Sequence, residues 1–182
     1  ENRTPICNTD GIVSAFQSVI QDITQLKQQE EKIFQLAMHD RVTGLPNRNG
    51  LSDYLDGLSR KTHDQIYLYL DLDGFKAVND QYGHAMGDLL LIEVADRLQK
   101  SLRYEGLAAR LGGDEFLIIL NEPISTEDID RYGKDIIHTL SYPYLLNQQT
   151  LFIGASIGVA IRSTEESIEQ VIHRADLALY DS

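Results

Sequence analysis

The stretch "ARLGGDEFLIIL", Ala109–Leu120, decides the fold. Two glycines and two acids interrupt sequence that otherwise reads as apolar strand. A Gly-Gly pair between apolar runs signals a tight hairpin, because glycine takes the positive φ angles of such turns without a Cβ clash. The expected strands are Leu107–Leu111 and Phe116–Leu120, joined by Gly112, Gly113, Asp114 and Glu115. Taken alone, a short motif of this kind describes a surface hairpin whose acids face water.

A second acidic pair changes that reading. "IYLYLDLDG", Ile66–Gly74, is a strongly apolar strand that ends in Asp71 and Asp73. An apolar run of this kind suits a strand buried on both faces. Side chains alternate along a strand, so Asp71 and Asp73 share one side and Leu72 takes the other. If the hairpin lies beside this strand, Asp71 and Asp114 converge. Carboxylates brought together repel unless a cation sits between them. Hard oxygen ligands, few in number, suit Mg²⁺, which keeps waters and accepts substrate phosphates as its other ligands. Mn²⁺ is the alternative ion. Gly74 and Phe75 then offer backbone N–H groups at a helix start, where phosphates bind, and Lys76 adds a point charge unless it is merely solvated. Asn79 and Asp88 flank "GHAMG". An amide and a carboxylate together match the hydrogen-bonding edge of guanine. Their structural alternatives are a helix C-cap for Asn79 and an N-cap for Asp88.

Outward from these strands, "DRVTGLPNRNG" (Asp40–Gly50) reads as a loop, with a helix from about Asn49 to Ser59. A helical turn follows Gly74, and "GHAMGD" interrupts it. Leu89, Ile92, Val94, Ala95 and Leu98 predict a long amphipathic helix from Asp88 to about Arg103. Ser125, with Asp128 three residues on, predicts a capped helix to about Leu140. "YLLNQQTLFIGASIGVAI" supplies one or two hairpins, and a last helix starts near Glu166. Strands separated by helices, with one hairpin inside, predict an α/β (α+β) domain: a central mixed sheet flanked by helices.

Before Asp40, the spacing of Leu26, Ile33 and Ala37 predicts a helix from Thr24 to about Met38. It reads equally as an amphipathic helix packed on its own domain or as a connector that pairs two chains. Residues 1–24 read as strand and turn, too few strands for a stable sheet alone.

Composition sets outer bounds. The chain has 182 residues, 42% hydrophobic and 24% charged, as in ordinary globular domains. Its 28 acids against 16 bases give a net charge of −12, which disfavours nucleic acid as a partner. Cys7 is the single cysteine, excluding an intramolecular disulfide and a Cys-rich zinc site and fitting a reducing cytoplasm. No apolar run approaches the roughly 20 residues of a membrane span, so no membrane contact is expected from this segment, although a parent protein could be tethered upstream. Residues 1–20 lack a signal-peptide pattern, and Glu1 in place of Met predicts a piece of a longer protein.

"DRVTGLPNR" (40–48), "DLDGFKAVNDQYGHAMGD" (71–88), "RLGGDEF" (110–116) and "ASIGVA…RADLALY" (155–180) are similar, in order and spacing, to the motifs of GGDEF-type diguanylate cyclases. The resemblance covers about Asp40 to Ser182, and several long motifs in register make it specific. It implies a five-stranded mixed sheet with surrounding helices, related to nucleotide cyclase and polymerase palm domains. It implies an enzyme that joins two GTP molecules into cyclic di-GMP and releases two pyrophosphates. Carried over position by position, Asp71, Asp114 and the Leu72 carbonyl are the Mg²⁺ ligands. Gly112 and Gly113 let the hairpin backbone approach the nucleotide, and Glu115 lies beside the reacting ribose. Gly74 and Phe75 match the backbone phosphate contacts, Lys76 the lysine near the terminal phosphates, and Asn79 and Asp88 the guanine readers. His84 falls in the matching "YGH" segment, while Asp40 and Arg48 match structural positions. Removal of the 3′-OH proton falls to Asp114 or Glu115. One domain binds one GTP, so catalysis calls for a homodimer.

The segment "DG…VIQDITQLKQQEEKIFQLAMHD" resembles the end of a PAS sensor domain (1–24) running into a connector helix (25–39), with the cyclase domain over 40–182. That favours the paired-helix reading. Two departures follow from the comparison. The family's product-inhibition site carries Arg-x-x-Asp; here the four residues are Arg103, Tyr104, Glu105 and Gly106, so weak or absent product inhibition is expected. The family also continues past "ALY" with a phosphate-holding lysine and arginine, which this sequence does not reach, so slower turnover is expected of it. The alternative function is a GTP-binding regulatory module that controls a phosphodiesterase domain in the parent chain.

Overall fold

The computed structural model describes residues 2–7, 10, 12–19, 22–58, 65–162 and 166–180. The chain forms two compact units, Glu1–Gln35 and Leu36–Ser182. In the first, strands β1 (Asn2–Cys7) and β2 (Val13–Val19) pair antiparallel. Helix α1 (Thr24–Met38) begins there, with the bounds its periodicity predicts. None of its residues is buried, and Leu26 and Ile33 are exposed.

The second unit runs α2 (Arg48–Leu58), β3 (Gln65–Asp71), α3 (Phe75–Tyr82), α4 (His84–Ser101), β4 (Gly106–Gly112), β5 (Glu115–Leu120), α5 (Thr126–Ser141), β6 (Tyr144–Leu146), β7 (Gln149–Leu151), β8 (Ser156–Arg162) and α6 (Ile168–Tyr180). The main sheet has the order β4-β5-β3-β8 with every neighbouring pair antiparallel. It is therefore an α+β domain built on an antiparallel sheet. The expected mixed, five-stranded sheet is corrected, among the described residues, to four strands. The reason lies in "YLLNQQTLFIGASIGVAI": Asn147 and Gln148, both at positive φ, turn β6 back onto β7 as a separate two-stranded sheet. Only β8 from that stretch joins the main sheet.

Strand β3 is central, and six of its seven residues are buried. Ile66, Leu68 and Leu70 point into a core with Leu90, Leu91, Val94 and Leu98 of α4 and Ile129 and Ile136 of α5. Tyr67 and Tyr69 point the other way, against Leu51 and Leu55 of α2 and Val171 and Ala175 of α6. Helices thus cover both faces, and each fully buried leucine contributes on the order of 2 kcal/mol. On the second face, Gly158 of β8 packs so closely under α6 that a Cβ would collide with the Ala175 carbonyl.

Two caps differ from expectation. Gly83, at φ 83, ends α3 and starts α4 at once, so α4 begins at His84 rather than Asp88. A single left-handed residue suffices to break the helix, and "HAMG" continues helical after it. Asp88 therefore lies inside α4 and Asn79 inside α3, and neither caps a helix. Ser125 does cap α5, its Oγ accepting the Asp128 N–H at 3.2 Å. The expected end of α2 at Ser59 lies outside the described residues.

The start of β3 carries a buried polar network. The Tyr67 hydroxyl donates to Gln65 Oε1 at 3.1 Å, as does Arg162 Nη1 at 2.9 Å. Gln65 Nε2 donates to Asn121 Oδ1 at 3.5 Å, and Asn121 Nδ2 to the Tyr54 hydroxyl. Among the described residues, no helix is long and apolar enough to cross a membrane.

Candidate active site

The hairpin tip is tighter than the expected four-residue loop. Gly112 pairs with Glu115, leaving Gly113 and Asp114 as the turn, with a register shift between Arg110 and Gly112. Gly112 and Gly113 have φ 143 and 55, and a Cβ at either would meet nothing within 4 Å. Backbone conformation, not crowding, demands glycine there.

Three residues brace this tip. Arg110, buried in β4, donates to the Gly113 carbonyl from Nε (3.1 Å) and Nη2 (2.7 Å), and to Asp40 Oδ1 from Nη1 (2.7 Å). Asp40 also accepts the Thr43 N–H (2.8 Å) and hydroxyl (2.7 Å). Burial pushes the Asp40 carboxyl up, but the Thr43 donors and the Arg110 guanidinium together hold it below the usual carboxylate range. Arg48 Nε donates to the Leu111 carbonyl at 3.0 Å, and its guanidinium stands 3.8 Å from the Glu115 carboxylate. Asp40, in the loop before α2, and Arg48, the first residue of α2, thus strut the hairpin.

Asp71 closes β3 opposite Glu115 of β5 and Ser156 of β8. Its Oδ1 is buried without a hydrogen-bond partner. Burial raises its carboxyl above the usual range, and the charges of Asp114, Glu115 and Asp73 raise it further. The four acids therefore gather at one end of the sheet. Asp71 keeps a backbone hydrogen bond from Leu72 that partly offsets these effects, and Asp73 and Glu115 have side-chain partners. Asp73 accepts the Ser156 hydroxyl, with Oγ 3.2 Å from Oδ1 and 3.1 Å from Oδ2. Glu115 meets Arg48 and the hydroxyl of Tyr69, whose own ionisation is pushed up by burial and by the Glu115 carboxylate. Among the described residues, no three His, Cys, Asp or Glu side chains form a ready metal-binding group.

Beyond Asp73, Gly74 sits at φ 86 as the N-cap of α3 and gives no side-chain cap. Phe75 is buried, and its N–H lies 3.4 Å from the Leu72 carbonyl. Lys76 is exposed and makes no hydrogen bond or ion pair among the described residues. At the α3–α4 corner, the Asn79 amide lies against Gly87, where a Cβ would overlap its Oδ1. Asp88 follows Gly87 directly and is exposed, as is His84 at the start of α4. Arg103 lies elsewhere: its Nη1 bonds Asp135 of α5 at 2.8 Å. Gly106, in the position of the missing carboxylate, has no room for a Cβ beside the Ile119 carbonyl.

Sequence reasoning missed Tyr69, Gly87, Arg110, Gly154 and Ser156. A glycine inside a helical run, as at Gly87, is the signal that marks one of them; the others read as strand residues. Chemically, the site sets Asp71, with one buried oxygen unpartnered, close to Asp114, an arrangement that attracts a cation, beside a glycine turn and a free lysine, which attract an anion.

The sequence profile described as "Diguanylate cyclase, GGDEF domain" matches residues 37–182. The bifunctional diguanylate cyclase/cyclic di-GMP phosphodiesterase MucR of Pseudomonas aeruginosa PAO1 is 40% identical over 162 residues, 86% of this chain and 24% of that protein. The diguanylate cyclase TpbB of Pseudomonas aeruginosa UCBPP-PA14 is 35% identical over 86% of this chain and 37% of its own length. The chain thus spans well under half of these relatives. Among solved structures, the coiled coil and GGDEF domain of DgcB from Caulobacter crescentus, in complex with c-di-GMP, superposes with a TM-score of 0.78 at 29% identity, covering 88% of this chain and 87% of that one.

Proposed function

The chain belongs to the GGDEF family of diguanylate cyclase domains, and from that premise we propose that it condenses two GTP molecules into cyclic di-GMP with release of two pyrophosphates. One observation carries the reading: Asp71 keeps a buried oxygen without a partner while Asp114, Glu115 and Asp73 press charge upon it. An acid left in that state suits a bound divalent cation.

Mg²⁺ fits the donor set, with Asp71, Asp114 and the Leu72 carbonyl as protein ligands and Mn²⁺ as a substitute. When bound, the ion supplies positive charge that polarises the α-phosphate and offsets the charge of the departing pyrophosphate. The chain's own residues do the rest. Gly74 and Phe75 present backbone N–H groups to the phosphates, and Lys76 meets the terminal phosphates as a point charge. Asn79 and Asp88 read the guanine edge from the α3–α4 corner, beside His84. Gly112 and Gly113 leave the hairpin backbone open to the nucleotide. The 3′-oxygen of one GTP attacks the α-phosphorus of the other, and its proton passes to the Asp114–Glu115 pair. The same step, with roles exchanged, closes the ring.

Each domain holds one GTP, so two chains face each other as a homodimer and proximity supplies much of the rate. The Arg103–Asp135 pair and the Cβ-free position of Gly106 support weak or absent product inhibition at Arg103.

The test is incubation of the chain with GTP and Mg²⁺ and detection of cyclic di-GMP. Product from the wild type and none from Asp114→Ala supports the reading. A second reading draws on the likeness to MucR, which is described as bifunctional: a GTP-binding module that adjusts a phosphodiesterase domain in the parent protein. GTP bound but never cyclised favours that reading. No GTP binding at all overturns both.

A further inference from the structure

The two acids that end β3 are held in opposite ways. Asp71 has an oxygen with no partner, whereas Asp73 is engaged through both backbone and side chain. The Asp73 N–H donates to the Gly154 carbonyl at 3.0 Å, and the Gly154 N–H donates back to the Asp73 carbonyl at 3.1 Å. Ser156 Oγ lies 3.2 and 3.1 Å from the two carboxylate oxygens of Asp73. A Cβ on Gly154 would stand 3.0 Å from Asp73 Oδ2, tight enough to push the carboxylate aside. Ser156 faces Asp71 across the β3–β8 register, so its hydroxyl stands beside the acidic cluster and yet bonds the more distant acid.

We infer that Ser156, with the backbone of Gly154, is a positioning residue that clamps Asp73 and so fixes the Gly74 turn which presents N–H groups to the GTP phosphates. This inference rests on the diguanylate cyclase reading. Its physical basis is that Gly74, left-handed at φ 86, gives no side-chain cap to α3. The bonds to Asp73, one residue earlier, are then what hold the turn.

Contacts to phosphate that are already fully made in the bound state appear in KM rather than kcat when they are lost. Ser156→Ala is expected to raise KM for GTP about three- to tenfold, the effect of one hydrogen bond. The value of kcat should stay within about twofold. Ser156→Thr keeps the hydroxyl and should restore KM. Asp73→Ala combined with Ser156→Ala should be no worse than either alone, because both remove the same contact.

Amide hydrogen exchange over Gly74–Val78 reads the clamp without any nucleotide. It should accelerate in Ser156→Ala and return to wild type in Ser156→Thr. Exchange and KM both unchanged in Ser156→Ala overturn the clamp. A fall in kcat at constant KM also overturns it, since that assigns Ser156 to the chemistry. If the wild type binds no GTP, the cyclase reading fails, and exchange alone still decides whether Ser156 fixes the turn.

Discussion

Asp71 occupies a position where its own charge is unfavourable. Burial and three neighbouring acids all oppose ionisation, so the metal-free fold carries a penalty at neutral pH. Asp71→Asn removes that charge and keeps the shape. The expected outcome is a higher Tm without divalent ions, loss of the Tm gain on adding Mg²⁺, and cyclase activity lower by at least about 10²-fold. Differential scanning fluorimetry with and without Mg²⁺, alongside the product assay, checks all three. Asp40 is the opposite case. Despite burial, its bonds to Thr43 and Arg110 hold its carboxyl below the ordinary value. An acid depressed in the fold contributes stability above its unfolded pKa, near 4, and loses it as pH falls through the folded value. Asp40→Asn should therefore cost about 1 kcal/mol at neutral pH, and the Tm gap to wild type should close as the solution is acidified below about pH 4. At this scale the acids and the glycines of the hairpin were legible, because their chemistry conflicts with the apolar strands around them. Tyr69 and Ser156 were not, because a tyrosine or serine inside a strand conforms to its surroundings, and only the register shows what it touches.

Elements were legible where periodicity was sustained or an end was marked by a cap. Helix α1 and the Ser125-capped α5 fall where the pattern puts them. The start of α4 does not, since "GHAMG" holds two glycines of which only Gly83 breaks the helix. The other, Gly87, stays helical, and its bare Cα receives the Asn79 amide. Gly87→Ala should displace that side chain, and the preference for GTP over inosine triphosphate should narrow about tenfold if Asn79 reads guanine. Stability should change little, because alanine gains about 1 kcal/mol of helix propensity over glycine. Competition between the two triphosphates, with Tm measured in parallel, separates the effects. The strand count was less legible still, because both halves of "YLLNQQTLFIGASIGVAI" carry the same strand-like composition. Which half joins the main sheet depends on tertiary pairing that no local signal encodes.

For the molecule as a whole, the net charge of −12 shapes its behaviour in solution. If two domains must meet to join two GTP molecules, specific activity should rise with protein concentration in the dilute range and then level off. A dilution series of initial rates checks this, and a flat response would count against a homodimeric catalyst. Repulsion between acidic partners should push that rise to higher protein concentration at low ionic strength, and salt that screens it should bring the rise to lower concentration. Composition made that charge visible; it could not reveal that the acids crowd one end of the sheet.

The opposite end of β3 has a consequence of its own. There Gln65, Tyr67, Asn121, Tyr54 and Arg162 satisfy one another, while Asp71 at the far terminus is left wanting. Robustness and usefulness are thus quartered at opposite poles of a single strand. Directed evolution for heat tolerance alone, without screening for turnover, would leave the first pole untouched and erode the second.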